Sequence, residues 1–143
     1  MLFKKTLNFQ FCSVFIYEDK LYLAHEKKVN GPRCMIFPPQ PLEMLIDPNK
    51  LGELVFDALN NYIIEKTTIY APEWELLNKQ LLTYFGSSSI FLFERKKKEV
   101  TIRRDVTSGD IELFVGTTSS HLGKISSDTL GHAILEKLNI SQA

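Results

Sequence analysis

The side chains in this sequence that are best suited to acid–base or metal chemistry are three histidines, His25, His121 and His132. No motif joins them to a nucleophile or to further ligands, since HExxH, GxSxG, GxxxxGKS/T and GxGxxG are all absent. The two cysteines, Cys12 and Cys34, lack the CxxC spacing of zinc and redox sites. The sequence therefore predicts a protein without enzymatic activity, with no bound metal and no cofactor.

Charge is balanced overall, with 17 basic and 17 acidic residues, so no global field attracts nucleic acid or an anionic membrane. The charges are nevertheless unevenly placed along the chain. Residues 43–75 contain seven acids and two bases, whereas residues 94–104 contain six bases and two acids. Either block can be a solvated surface, and a partner recognised by charge must meet one of them.

Composition predicts a single globular domain over residues 1–143, because 44% of the positions are hydrophobic and 24% are charged. Lys4 and Lys5 precede apolar residues as in a signal peptide, but Gln10 and Ser13 interrupt the apolar stretch and no A-x-A cleavage site follows. The apolar runs are also far shorter than the roughly 20 residues of a membrane-spanning helix. With only two cysteines, these features predict a cytoplasmic protein with no membrane partner.

The first third of the chain has the pattern of a β-hairpin. Two aromatic and β-branched runs, Phe9 to Tyr17 and Leu21 to His25, are separated by the polar residues 18–20. Both faces of the first run are apolar, which is typical of a strand inside a sheet. Three prolines in residues 37–41 then predict an extended connector.

Two amphipathic helices follow. The first is predicted to start with Asp47 as its N-cap and Pro48 at its first helical position, and to extend to about residue 65. The second begins near Pro72 and ends at Gly86. Its apolar stripe consists of Trp74, Leu77, Leu81 and Phe85.

From Ser88 the apolar period changes to two, which predicts three short strands near residues 90–93, 100–102 and 111–115. A basic turn at Lys96 to Lys98 joins the first two of these, and residues 117–124 are predicted to form a loop before a helix at 128–138. The predicted fold class is α+β, a mainly antiparallel sheet of about five strands with about three helices packed on one face.

The first and last predicted helices begin alike. Leu51-Gly52 matches Leu130-Gly131, and the same alignment pairs Leu59-Asn60 with Leu138-Asn139. A glycine one turn inside a helix costs about 1 kcal/mol relative to alanine, so something must offset that cost. Close approach of the helix to another helix or to the sheet is the favoured explanation, ahead of a glycine site that binds phosphate.

These paired helix starts, with the serines at 87–89 and the charged segment that follows them, resemble a family of immunity proteins from bacterial contact-dependent growth-inhibition systems. The resemblance covers residues 45 to 139. It implies a small cytoplasmic protein that binds the C-terminal toxin domain of an effector, often a nuclease, and neutralises it by occluding the active site.

A nuclease binds its substrate with a basic surface, so the acidic block is the predicted contact for the toxin. Within this block, the residues predicted to contact the toxin are Glu43, Asp47, Glu53 and Asp57. For the basic segment 95–104, protection of a sheet edge is favoured first and contact with a toxin or a second copy of the chain next. A small nucleic-acid-binding domain that uses this segment is the alternative function.

Overall fold

The computed structural model describes residues 9–140, which form eight β-strands and four α-helices. Lys4 and Lys5, the two lysines that resembled the start of a signal peptide, lie outside the described residues. The strands are β1 (Phe9–Tyr17), β2 (Lys20–Lys28), β3 (Arg33–Met35), β4 (Gln40–Leu42), β5 (Ile63–Ile64), β6 (Lys98–Asp105), β7 (Ile111–Val115) and β8 (Thr118–Gly123). The helices are α1 (Pro48–Asn60), α2 (Ala71–Phe85), α3 (Ile90–Lys96) and α4 (Ser127–Lys137).

The predicted N-terminal hairpin is confirmed, with a tighter turn than the sequence suggested. β1 and β2 are antiparallel, and Tyr17 pairs with Lys20 across a two-residue turn. Glu18 and Asp19 both have positive φ angles, +49° and +61°. Two residues with positive φ match the twist of a two-residue hairpin, which fixes the register of the strands that follow.

The strands form a sheet in the order β3-β2-β1-β6-β7-β8, with β4 and β5 also paired to β2. Every pairing is antiparallel except that of β2 with β5. The predicted mainly antiparallel α+β fold is therefore confirmed. β1 lies between β2 and β6, so the prediction that it is a strand inside the sheet is confirmed.

Helices cover both faces of the sheet, so the prediction of helices on one face was wrong. Cys12 and Val14 of β1 point into a core that includes α1 and α4. Phe15 and Tyr17 point the other way, into an aromatic cluster with Phe85 at the end of α2 and Phe93 of α3. Successive side chains of a strand point to opposite faces of the sheet, so the apolar residues of β1 contribute to both hydrophobic clusters.

The start of α1 is confirmed in detail. Asp47 is its N-cap, and the Asp47 Oδ2 atom accepts a hydrogen bond of 3.0 Å from the backbone N–H of Lys50. The helix ends at Asn60 instead of near residue 65. Ile63 and Ile64 form β5 beside β2, in keeping with the strand preference of β-branched side chains.

Residues 90–96 form a helix, so the predicted strand at 90–93 was wrong. The Ser89 hydroxyl caps α3 by accepting a 3.1 Å hydrogen bond from the Leu92 N–H, and Phe93 is fully buried. A short unbroken apolar run fits both a helix and a strand, and here the serine cap favours the helix. The basic residues 96–98 are thus a helix-to-strand junction, and no hairpin turn exists there.

The predicted loop at residues 117–124 is instead the edge strand β8. β8 pairs with β7 through a tight turn, in which Gly116 has a φ of +59°. Its threonine and serines are largely solvent-exposed, which explains why no apolar alternation marked it in the sequence.

The two repeated Leu-Gly pairs are where α1 and α4 cross. A Cβ atom built on Gly52 would lie 1.7 Å from the carbonyl oxygen of Ser127, and one built on Gly131 would lie 1.7 Å from that of Pro48. Each glycine therefore contacts the first residue of the other helix. Beside them, Leu51 and Leu130 are fully buried. The interpretation of the glycines as close-packing residues is confirmed.

Gly52→Ala and Gly131→Ala should each lower the free energy of unfolding by about 1 to 3 kcal/mol or more, because the added methyl group overlaps a backbone carbonyl that has no room to move. Thermal and urea unfolding would measure the loss. Lys50→Ala and Glu136→Ala, at exposed positions of the same two helices, are the matched controls and should change stability little. A higher melting temperature for both glycine variants would refute the packing argument.

Candidate functional site

The four acidic residues singled out from the sequence lie on or just before α1. Glu53 and Asp57 are exposed and one helical turn apart, on the face opposite the fully buried Leu51, Val55 and Leu59. Neither carboxylate forms an ion pair with any of residues 9–140. The side-chain placement predicted for this pair is therefore the one observed.

Asp47 and Glu43, the other two predicted toxin contacts, lie outside the exposed face of α1 that carries Glu53 and Asp57. Asp47 caps the helix, so its carboxylate already satisfies a backbone donor. Glu43 is exposed in the turn between β4 and α1, where its carbonyl accepts a 3.1 Å hydrogen bond from the Ile46 N–H. The structure thus gives Asp47 a structural role and leaves Glu43, Glu53 and Asp57 as free surface carboxylates among the described residues.

Two of the six bases in the basic segment are neutralised inside the protein. The Lys97 Nζ atom lies 3.0 Å from a Glu94 oxygen and 3.2 Å from a Glu99 oxygen, and its side chain is only 12% exposed. Arg103 pairs with Glu112 on the neighbouring strand β7. These ion pairs make Lys97 and Arg103 unavailable to phosphate groups.

Arg104 is also committed to the fold, because it donates to the side-chain oxygens of Gln10 and Asn60 and so joins the end of α1 to the sheet. Burial lowers the pKa of this guanidinium from its ordinary value. Both arginines lie on β6, which has β1 on one side and β7 on the other. Protection of a sheet edge, the favoured explanation for the basic segment, was therefore wrong.

The exposed remainder of the basic segment is Arg95 and Lys96 on α3 and Lys98 at the start of β6. Phe91 on α3 is 70% exposed. Within the described residues this is a small surface with three cations, half of the six that the sequence count offered a nucleic acid.

A cleft that the sequence did not predict lies on the face of the sheet opposite to α1 and α4. We call it the α2 cleft. Its volume is about 380 Å³, within the range of small-ligand pockets, which is about 300–1,000 Å³. The sheet residues Ser13, Glu26 and Thr101 form its floor, and Trp74 and Leu77 of α2 stand over it.

Glu26 is the most constrained carboxylate in the α2 cleft. Its Oε1 atom accepts a 2.9 Å hydrogen bond from Arg33 Nη1, and its Oε2 atom accepts one of 2.7 Å from the Ser13 hydroxyl. The Ser13 Oγ atom lies in turn 3.4 Å from the Thr101 hydroxyl oxygen. Only 11% of the Glu26 side chain is exposed, so these contacts replace most of its hydration.

Burial raises the pKa of Glu26 above its ordinary value, and the nearby Glu99 raises it further. The hydrogen bond from Ser13 and the charges of Arg33 and Lys97 act in the opposite direction but do not cancel the effect of burial. The α2 cleft therefore contains a carboxylate whose charged form is costly to maintain.

One signal in the sequence could have identified Glu26. Tyr22 and Ala24 of β2 face the aromatic cluster, and Glu26 is the next residue on that face. The predicted strand ended at His25, which excluded Glu26 from the pattern. Glutamate is almost never buried unless it is paired, so a glutamate on the inward-facing side of a strand indicates a carboxylate with internal partners.

The three histidines do not meet. His25 is on β2, His121 on β8 and His132 on α4, and none of them lines the α2 cleft. Among residues 9–140 no group of three or more potential ligands is arranged to hold a metal ion. Within the same range, no helix is both long enough and apolar enough to cross a membrane.

No protein-family model matches the chain, and no curated protein is similar to it in sequence. Solved structures that are similar in fold include the following two. A chain of the CdiA-CT/CdiI toxin and immunity complex from Yersinia pseudotuberculosis superposes with a TM-score of 0.67 at 13% identity, covering 94% of this chain and 98% of that one. A protein of unknown function from Neisseria meningitidis superposes with a TM-score of 0.64 at 16% identity, covering 96% and 97%.

These similarities extend over nearly the whole of both chains, and at such low identity they define the fold alone. The fold class is thus one that occurs in a toxin and immunity complex.

In a carboxyl-selective NMR titration, Glu26 should show a pKa above that of an ordinary glutamate, because burial penalises its charged form. Arg33→Ala should raise this pKa further, since it removes the cation 2.9 Å from the carboxylate. Ser13→Ala should act in the same direction by removing a hydrogen bond to the charged form. A Glu26 pKa below the ordinary value, or a decrease in Arg33→Ala, would contradict this description of the α2 cleft.

Proposed function

We propose that this protein is an immunity protein that binds the toxin domain of a contact-dependent growth-inhibition effector and neutralises it without catalysis. The single observation that carries the proposal is the likeness in fold to a chain of a toxin and immunity complex, over 94% of this chain. The repeated Leu-Gly helix starts, which supplied the resemblance to this family in sequence, form the crossing of α1 and α4 in this chain.

The toxin contact in this proposal is the acidic surface of α1, formed by Glu43, Glu53 and Asp57, with Asp47 at its edge. A nuclease attracts the phosphates of its substrate with lysines and arginines, and an inhibitor that presents carboxylates at the same spacing competes for them. Exposed carboxylates that lack intramolecular partners are available for such contacts without breaking an existing ion pair. The inhibitor then covers the active site and excludes the substrate.

Glu53 and Asp57 form the core of this contact because α1 is rigid at their positions. Val55 and Leu59 on the opposite side of the helix are fully buried, and Gly52 locks the helix against α4. Side chains on a fixed helix lose less entropy on binding than those on a loop. The acidic pair is therefore presented in a fixed orientation before the toxin arrives.

Charge reversal at Glu53 and Asp57 should slow association with the cognate toxin domain, which the proposal expects to be encoded directly upstream, and flatten the salt dependence of the association rate. Rim charges act mainly on association, whereas truncating one partner of a desolvated pair costs about 2 to 5 kcal/mol. Surface plasmon resonance at several ionic strengths would measure both effects, and circular dichroism would confirm that the variant is folded.

Charge reversal at Arg95 and Lys96 is the matched control, because both residues are exposed and form no ion pair within residues 9–140. Lys97 is unsuitable, since its reversal would break internal ion pairs. If the basic variant loses binding while the acidic variant keeps wild-type kinetics, the contact is on α3 and the assignment of surfaces is wrong. If the wild-type protein does not bind the toxin domain at all, the proposed function is wrong.

A further inference from the structure

We propose that the α2 cleft is a binding site for a guanidinium or primary ammonium group, carried either by a small molecule or by an arginine or lysine side chain of a partner protein. The inference stands on the geometry of the cavity. It concerns a different face of the sheet from the acidic surface of α1, so either proposal can fail without the other.

The floor of the cleft has unused capacity to accept hydrogen bonds. Each Glu26 oxygen accepts one hydrogen bond, from Arg33 or from Ser13, whereas a carboxylate has room for about four. The hydroxyl of Thr101 adds a further acceptor beside Ser13. A group with several N–H donors and a positive charge fits this set of acceptors better than a neutral or anionic group does.

The charge balance of the cleft also favours a cation. Three carboxylates line it, those of Glu26, Glu94 and Glu99, and two cations oppose them, Arg33 and Lys97. Lys97 is shared between Glu94 and Glu99, and Arg33 pairs with Glu26, so one negative charge stays uncompensated. The excess charge lies with Glu94 and Glu99, whose side chains are 53% and 31% exposed, and an added cation restores neutrality there.

The walls of the cleft suit a flat cation on an apolar stem. Trp74, Phe15 and Phe37 line it, and a guanidinium plane stacks favourably on aromatic rings. Lys97 already uses such a contact, with its Nζ atom 5.5 Å from the centre of the Phe15 ring. Leu77 and Leu81 of α2 are half-buried above the cavity and can cover the methylene groups of the ligand.

Trp74 offers a direct assay, because it is the single tryptophan of the chain and it lines the cleft. The purified protein would be titrated with butylguanidinium and with butylurea, which has a similar shape but no charge. In parallel it would be titrated with a blocked glycine-arginine-glycine peptide and with the same peptide containing citrulline. The charged probes should give a saturable change in fluorescence, and the neutral probes should bind at least tenfold more weakly.

The two arms separate the sources of the cation. Binding of butylguanidinium alone would assign the cleft to a small cationic molecule. Binding of the arginine peptide alone would assign it to a side chain of a partner protein. No saturable change with either charged probe, or equal binding of charged and neutral probes, would overturn the proposal.

Glu26→Gln keeps the size of the side chain and removes its charge, so it should weaken binding of the charged probes at least tenfold. Glu136→Gln, at an exposed position of α4 on the opposite face, is the matched control and should bind as the wild type does. Should Glu26→Gln fail to fold, Leu77→Arg supplies a second test, since it places a guanidinium at the cavity from the half-buried side of α2. Unchanged probe affinity in a folded Glu26→Gln or Leu77→Arg protein would also overturn the proposal.

Discussion

The fold depends on a crossing of α1 and α4 so close that no side chain fits between the two backbones. Gly52 contacts the start of α4 and Gly131 contacts the start of α1, which makes the contact reciprocal. Each glycine costs its helix about 1 kcal/mol, whereas complete burial of a neighbouring leucine contributes about 1.5 to 3 kcal/mol. The crossing brings Leu51 and Leu130 into one core, and so favourable burial exceeds the cost of the glycines.

The two faces of the sheet differ as a result. The face under α1 and α4 is covered by a large cluster of buried apolar side chains, and burial there raises the pKa of the Cys12 thiol well above its ordinary value, which keeps that thiol inert. On the other face, α2 is anchored chiefly by Phe85 at its end, while the half-buried Trp74 stands over a cavity. Features that can bind a partner therefore lie on the outer surface of α1 and in the α2 cleft.

Much of the fold could be predicted where one physical signal dominated. The N-cap at Asp47 and the aromatic and β-branched run of β1 predicted the correct elements, because local chemistry and burial agreed there. The segment from Ile90 to Phe93 was misassigned because four consecutive apolar residues have no distinguishing period, and the decisive signal was the Ser89 cap. Edge strand β8 was missed because its side chains are mostly exposed and polar.

The site was less predictable than the fold. Exposure of Glu53 and Asp57 followed from helical periodicity, since the stripe on the other side of α1 had to be buried. The α2 cleft could not be predicted, because it depends on the pairing of β1 with β6 and on the position of α2, both of which are tertiary. The charge count along the chain also overestimated the basic surface. Lys97, Arg103 and Arg104 contact other side chains of the protein, and these contacts are visible only in the folded structure.

The central claim, that this protein neutralises a toxin by binding it, is tested most directly by growth of bacteria that produce the C-terminal domain of the cognate effector, which the account expects to be encoded directly upstream. Production of this protein in the same cells should restore growth to the rate of cells without the toxin domain. Continued growth arrest in cells that contain the folded protein at or above the level of the toxin domain would contradict the account.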